Sequence, residues 1–240
     1  MRGCRLAKES LATEALQAMT SEHEAANREA SRRSGFRIVP GYLGRDRQEE
    51  LLAAVRDVMR RAPPYTPRMP KSGAPMSVRM TNCGPLGWMT DAGGYRYQQT
   101  HPETGAPWPP IPDVLLAAWN DLSSYPHEPE ACLVNIYDAG ARMGLHQDRD
   151  EADMTAPVVS LSLGDSCLFR IGGTRRNDPT RTFRLGSGDA LVLGGSVRRA
   201  FHGVDRILPG TSTLLPEGGR INLTLRRVTR PQPAPGAVSD

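Results

Sequence analysis

Arg220-Ile221-Asn222-Leu223-Thr224-Leu225-Arg226 alternates without interruption: Ile221, Leu223 and Leu225 fall on one side, and Arg220, Asn222, Thr224 and Arg226 on the other. Successive side chains of a strand point to opposite faces, so the stretch reads as a strand with one apolar and one polar face. Such a polar face ordinarily meets water. The same alternation recurs in Val134-Asn135-Ile136-Tyr137, where Asn135 and Tyr137 share a face. Two such strands can line one polar cavity with arginines, asparagines and a tyrosine hydroxyl. Working outward, Cys132 to Tyr137, Pro157 to Leu163, Cys167 to Ile171, Thr182 to Leu185, Ala190 to Leu193 and Arg199 to Val204 are further short strands. Gly164-Asp-Ser166, Gly172-Gly173, Gly186-Ser-Gly188 and Gly194-Gly195 punctuate them. Many short strands without intervening helices predict a mainly β protein with flanking helices, an antiparallel sandwich or jelly roll.

The flanking helices come earlier. Asp46 to Arg60 carries Leu51, Leu52, Val55 and Met59 at the spacing of an amphipathic helix, with Asp46 near its cap. Pro112 to Leu122 predicts a second helix that buries Val114, Leu115, Ala118 and Trp119, and Phe36 to Val39 a short strand. Between the helices, residues 62 to 110 are loaded with Pro, Gly, Met and aromatics, a length of irregular chain that suggests a lid or binding loop. Residues 1–34 read as an extension with a loose helix around Leu11 to Met19, residues 35–230 as one catalytic domain, and the proline-rich residues 231–240 as a disordered tail.

A formal net charge of +4 suits a polyanionic partner without requiring one. The four cysteines, Cys4, Cys83, Cys132 and Cys167, show neither a CxxC pair nor zinc-ligand spacing, and no apolar run is long enough to span a membrane. These features predict a reduced, cytoplasmic protein, and nothing resembles an assembly segment, so a monomer is expected. His23, His101 and His127 lie in polar or proline-containing surroundings and read as surface or turn histidines. Arg175-Arg176 and Arg198-Arg199 are basic pairs of the kind that are most often solvated.

The chemistry centres on His146-Gln147-Asp148 and His202. Residues i and i+2 of a strand face the same way, so His146 and Asp148 can meet one metal, with His202 joining from another strand. Two histidines and one carboxylate are the ligand set of non-haem Fe(II) oxygenases, which leave positions open for substrate. The polar cavity beside them fits 2-oxoglutarate: its C1 carboxylate and keto oxygen can chelate iron, while its other carboxylate calls for a buried planar cation. Arg226, 24 positions beyond His202, is the candidate for that role, and Arg220 could hold the other carboxylate end.

With these residues in place the chain resembles the AlkB family of nucleic-acid dealkylating dioxygenases from about Met76 to Arg227. The resemblance rests on Met80-Thr-Asn-Cys-Gly84, Leu86-Gly-Trp88, Gly94-Tyr95-Arg-Tyr97, Asn135-Ile-Tyr137, His146-Gln-Asp148-Arg-Asp150-Glu151, Arg176-Asn-Asp-Pro179, His202-Gly203 and Arg220-Ile-Asn-Leu-Thr224. It implies a double-stranded β-helix, iron ligands at His146, Asp148 and His202, and a 2-oxoglutarate site at Asn135, Tyr137, Arg220, Asn222 and Arg226. It also implies a nucleotide-recognition lid with Trp88 and Tyr95, and substrate contacts from Met80, Asp150, Glu151 and Arg176. Leu193 departs from the pattern, standing where a tryptophan is found in the best-known member.

The activity so implied is demethylation of N1-methyladenine and N3-methylcytosine in DNA, consuming O2 and 2-oxoglutarate and releasing formaldehyde, succinate and CO2. An alkylated Watson–Crick edge is already unpaired, so such a base costs less to flip out, and single-stranded or locally opened DNA is the expected substrate. A related oxygenase acting on RNA or protein, and a non-catalytic nucleic-acid-binding protein on the same fold, are the alternatives. The full ligand set argues against the last.

Overall fold

The computed structural model describes residues 35–231. The expected extension, with its helix around Leu11 to Met19 and His23, lies outside them, as do residues 232–240 of the expected tail. Twelve strands and two α-helices are described: β1 (Phe36–Val39), α1 (Arg45–Arg61), β2 (Arg79–Cys83), β3 (Gly87–Asp91), β4 (Gly94–Gln98), α2 (Asp113–Ser123), β5 (Ala131–Tyr137), β6 (Met143–His146), β7 (Val158–Gly164), β8 (Ser166–Ile171), β9 (Arg181–Leu185), β10 (Ala190–Leu193), β11 (His202–Leu208) and β12 (Arg220–Arg226).

A six-stranded sheet runs β1-β10-β7-β12-β5-β2, and a four-stranded sheet runs β6-β11-β8-β9. Every pairing is antiparallel. Alternation along β12 assigns its two faces. Ile221, Leu223 and Leu225 enter an apolar cluster with Leu51, Leu52 and Val55 of α1 and Leu115, Ala118 and Trp119 of α2. Each buried leucine contributes about 1.5–3 kcal/mol, so this face holds the helices against the sheet. The opposite face, together with Leu133, Val158, Leu191 and Leu193, looks toward Phe169, Ile171 and Val204 of the smaller sheet. Strand β7 is buried along its whole length because helices cover one side and the second sheet the other. This is the jelly-roll arrangement the strand pattern predicts.

Helix α1 begins at Arg45 after Gly44, and Asp46 lies near the cap as expected, in the first turn, where its charge is favoured by the positive end of the helix dipole. Three local expectations need correction. Residues 62 to 110 are largely irregular as expected, but not wholly so. They contain β2, which extends the main sheet, and a separate β3–β4 hairpin. The strand read over Arg199 to Val204 begins only at His202, after a short 3-10 turn over Gly195–Val197. Strand β6 ends at His146, so Asp148 is carried by the loop that follows rather than by the same strand.

Candidate metal centre and cosubstrate cavity

Strands β6 and β11 bring the two histidines together, since His146 and His202 are directly paired across them. The strands approach closely because residue 203 is glycine: a Cβ there would lie 2.5 Å from the Met143 carbonyl oxygen and 2.9 Å from that of Gly144. The imidazole centroids are 4.6 Å apart. Asp148 reaches the same point from the loop, which is anchored by Gln147 donating from Nε2 to the Arg199 carbonyl at 2.6 Å. Arg198 donates to the Asp148 main-chain carbonyl at 2.8 Å. One ligand atom from each of His146, Asp148 and His202 lies within 4.8 Å of the others, the only such cluster among the described residues.

The hydrogen bonds around this cluster fix which nitrogens face a metal. His146 Nδ1 is 3.0 Å from the Gly144 carbonyl and His202 Nδ1 is 2.9 Å from that of Ala200. A carbonyl only accepts, so each Nδ1 carries the proton and each Nε2 presents its lone pair. The Nε2 atoms lie 3.8 and 3.9 Å from the Asp148 carboxylate. Burial, reinforced by nearby His146, lowers the His202 pKa to about 4, leaving the ring neutral as a ligand must be. Burial opposes ionisation of Asp148, but Arg226 and then the two histidines outweigh it and hold the carboxyl well below the usual range. The donor set therefore fits a divalent iron with open coordination positions.

The cluster borders a cavity of ≈ 510 Å³ between the two sheets. Arg220 lies in its wall, 2% exposed, and donates from Nη2 to Ser162 Oγ at 2.9 Å. Its Nε and Nη1, and Asn135 Oδ1, are buried without hydrogen-bond partners. The two guanidinium nitrogens are buried donors of a kind rarely left unpaired, and they call for an acceptor. A carboxylate of 2-oxoglutarate would supply it, since a guanidinium pairs with a carboxylate through two parallel N–H bonds. Tyr137 joins the wall with its phenol kept protonated, chiefly by burial. Asn222 also lines the cavity, but its amide is committed to Ser160 Oγ at 2.6 Å and the Leu161 carbonyl at 3.1 Å. Arg226 occupies a different place from Arg220: its guanidinium grips both oxygens of Asp148, at 2.9 and 3.2 Å.

At the mouth, Trp88 of β3 stacks on Tyr95 of β4, with centroids 5.7 Å apart and planes 20° apart. Its indole Nε1 donates to Asp150 at 2.9 Å. Met80 and Arg176 also line the cavity, Arg176 with its guanidinium 5.8 Å from the Phe201 ring centroid. Glu151 does not line it. Its side chain is 1% exposed, turned behind the metal site onto Arg198 at 3.1 Å and Arg226 at 3.5 Å, so the expected substrate contact is not available to it.

Three residues were not readable as part of the site. Arg198, half of a basic pair of the kind most often solvated, is instead 3% exposed and ties Asp148 to Glu151. Tyr97 donates its hydroxyl to Glu151. Asn82 on β2 clamps the Trp88 main chain through two 3.0 Å bonds. The two arginine partners of Glu151 are remote from it in the chain, so no local pattern signals them. His101 likewise is no surface histidine: it is 2% exposed, packed between Tyr65 and Trp108, with Nε2 2.7 Å from the Pro63 carbonyl.

A family model for the 2OG-Fe(II) oxygenase superfamily matches residues 35–226. The chain is 57% identical over 193 residues to an alpha-ketoglutarate-dependent dioxygenase AlkB homolog of Caulobacter vibrioides, covering 80% of this chain and 87% of that one. To the alpha-ketoglutarate-dependent dioxygenase AlkB of Escherichia coli it is 41% identical over 183 residues, covering 75% and 84%. Among solved structures, that of OsALKBH1 superimposes with a TM-score of 0.69 at 32% identity, covering 81% of this chain and 97% of the other.

Proposed function

The chain belongs to the 2OG-Fe(II) oxygenase superfamily and, within it, to the AlkB dioxygenases, and from that premise we propose that it demethylates alkylated DNA bases such as N1-methyladenine and N3-methylcytosine. It is an Fe(II)- and 2-oxoglutarate-dependent dioxygenase. The observation that carries the reading is the Trp88–Asp150 pair at the mouth of a cavity whose interior offers the His146–Asp148–His202 ligand set.

Bound Fe(II), with 2-oxoglutarate and O2, supplies the oxidation by which the methyl carbon leaves as formaldehyde while the cosubstrate becomes succinate and CO2. The chain's own residues hold and orient. Arg220 pairs with one carboxylate of 2-oxoglutarate, assisted by Asn135 and Tyr137. Arg226 keeps the Asp148 carboxylate ionised and in one orientation. Apolar walls from Leu133, Val158, Phe169, Leu191 and Leu193 exclude water around the reacting carbon. Trp88 offers a broad face to a flipped base, with His146 as a second wall, while Asp150 accepts from the exocyclic amine and offsets the positive charge of the alkylated ring.

Residues 35–230 serve as a single catalytic unit in this reading, with the lid in 62–110 and substrate contacts from Met80, Tyr95 and Arg176. Single-stranded DNA is the preferred form, because no partner base has to be displaced. The protein acts as a cytoplasmic monomer. No helix among the described residues is long and apolar enough to cross a membrane.

The test incubates the protein with Fe(II), 2-oxoglutarate, ascorbate and single-stranded DNA or RNA oligonucleotides bearing either methylated base, and follows loss of the methyl mass. Demethylated DNA is expected from the wild type and none from Asp148→Ala. Turnover of RNA alone, or of neither nucleic acid by iron-loaded protein, refutes the proposed substrate.

A further inference from the structure

Glu151 is a buried carboxylate that neither binds iron nor reaches the cavity, and burying a charge is costly unless it is paired. Three groups account for it. Arg198 Nη2 donates to Oε2 at 3.1 Å, Arg226 Nε lies 3.5 Å from Oε1, and the Tyr97 hydroxyl donates to Oε1. Arg226 and Arg198 in turn hold Asp148, by its carboxylate and by its main-chain carbonyl. Two carboxylates and two guanidiniums thus form one interlocked, neutral group directly behind the metal ligands.

The neutrality has a consequence for a dication. Without the charge of Glu151, Arg226 and Arg198 would face Asp148 alone, leaving a net positive charge at the back of the metal site. Charges a few ångströms apart inside a protein interact by several kcal/mol, so the metal would feel that excess. Tyr97 brings a distant element into the same network. It sits on β4, the second strand of the hairpin that presents Trp88 and Tyr95 at the cavity mouth. The hairpin is therefore docked on the charged group that orients the metal carboxylate.

We infer that Glu151 and Tyr97 are positioning residues that couple the β3–β4 hairpin to the metal centre, so that metal binding and docking of the hairpin favour one another. The coupling is reciprocal, as any linkage between two binding equilibria must be. It rests on reading His146, Asp148 and His202 as metal ligands, and the experiment separates the two ideas.

Zn(II) serves as a redox-inactive probe on the full chain, without cosubstrate or DNA. Affinity is measured by calorimetry, and amide hydrogen exchange is followed over residues 87–98. Glu151→Gln is expected to bind Zn(II) about 10- to 100-fold more weakly, the usual effect of removing a group that supports a ligand, and Tyr97→Phe about 10-fold more weakly. Zn(II) should slow exchange in the wild-type hairpin and do so much less in Tyr97→Phe. Wild-type affinity in Tyr97→Phe together with an unchanged exchange response overturns the coupling, even if Glu151→Gln does not fold. Undiminished Zn(II) binding by Asp148→Ala overturns the ligand assignment and the inference with it.

Discussion

Replacing Arg220 by methionine should move stability and cosubstrate affinity in opposite directions. The side chain is 2% exposed, and only Nη2 has a partner, the Ser162 hydroxyl. Nε and Nη1 are buried and unsatisfied. Each unsatisfied buried donor costs about 1–3 kcal/mol, whereas the hydrogen bond lost with the guanidinium is worth about 0.5–1.5 kcal/mol net. Methionine retains the apolar length, so the cosubstrate-free protein should gain at least about 0.5 kcal/mol, a rise of at least about 1 °C in Tm for a chain of this size. Binding should suffer in return. A 2-oxoglutarate carboxylate facing methionine is a buried charge without its partner, a loss of about 3–5 kcal/mol, or at least about 100-fold in Kd. Thermal denaturation with and without 2-oxoglutarate reads both effects, because a ligand raises Tm only as far as it binds the folded state. The reasoning fails if Arg220→Met melts below the wild type in the absence of cosubstrate, or if calorimetry finds its 2-oxoglutarate affinity unchanged.

Three further outcomes follow from specific contacts. Gly203→Ala places a Cβ 2.5 Å from the Met143 carbonyl and must push β6 from β11, separating His146 from His202; Zn(II) affinity should fall at least about 10-fold, and wild-type affinity would show that the strand spacing does not set the site. Trp88→Ala removes the stacking face and should weaken binding of a methylated oligonucleotide by about 1–3 kcal/mol, as titration by fluorescence anisotropy would reveal. Leu223→Ala, at a fully buried position between α2 and the main sheet, should cost about 2–5 kcal/mol in urea denaturation; a loss below about 1 kcal/mol would mean that this face is not the packed core described.

What the sequence revealed depended on how evenly each strand's two faces differ. Strand β12 alternates because one face packs on helices and the other lines a polar cavity, so both its existence and its chemistry were legible. Strand β2 was not: Met80, Thr81, Asn82 and Cys83 are all buried, polar and apolar together, and alternation disappears. The metal ligands could be read because their side-chain chemistry is unusual in combination. Glu151 could not be placed, since adjacency to Asp150 says nothing about direction: one carboxylate meets Trp88 at the mouth, and the next turns behind the ligands. Loop geometry decides between them, and it is fixed by Arg198 and Arg226, far along the chain.

The distribution of charge also explains why metal and cosubstrate belong in one cavity. Asp148 and Glu151 are offset by Arg226 and Arg198, while Arg220 keeps two unpaired nitrogens. A dication added alone increases the positive charge of a region that already holds an uncompensated guanidinium. A dianion added alone meets Arg220 at one end and the Asp148 carboxylate, across the cavity, at the other. Together each would remove the electrostatic cost of the other: one carboxylate of 2-oxoglutarate would pair with Arg220, and a metal held by His146, Asp148 and His202 would offset the charge of the other end. The buried, incompletely paired arginine would become favourable when both are bound, and the alternating strand that carries it uses its apolar face for stability and its polar face for that recognition.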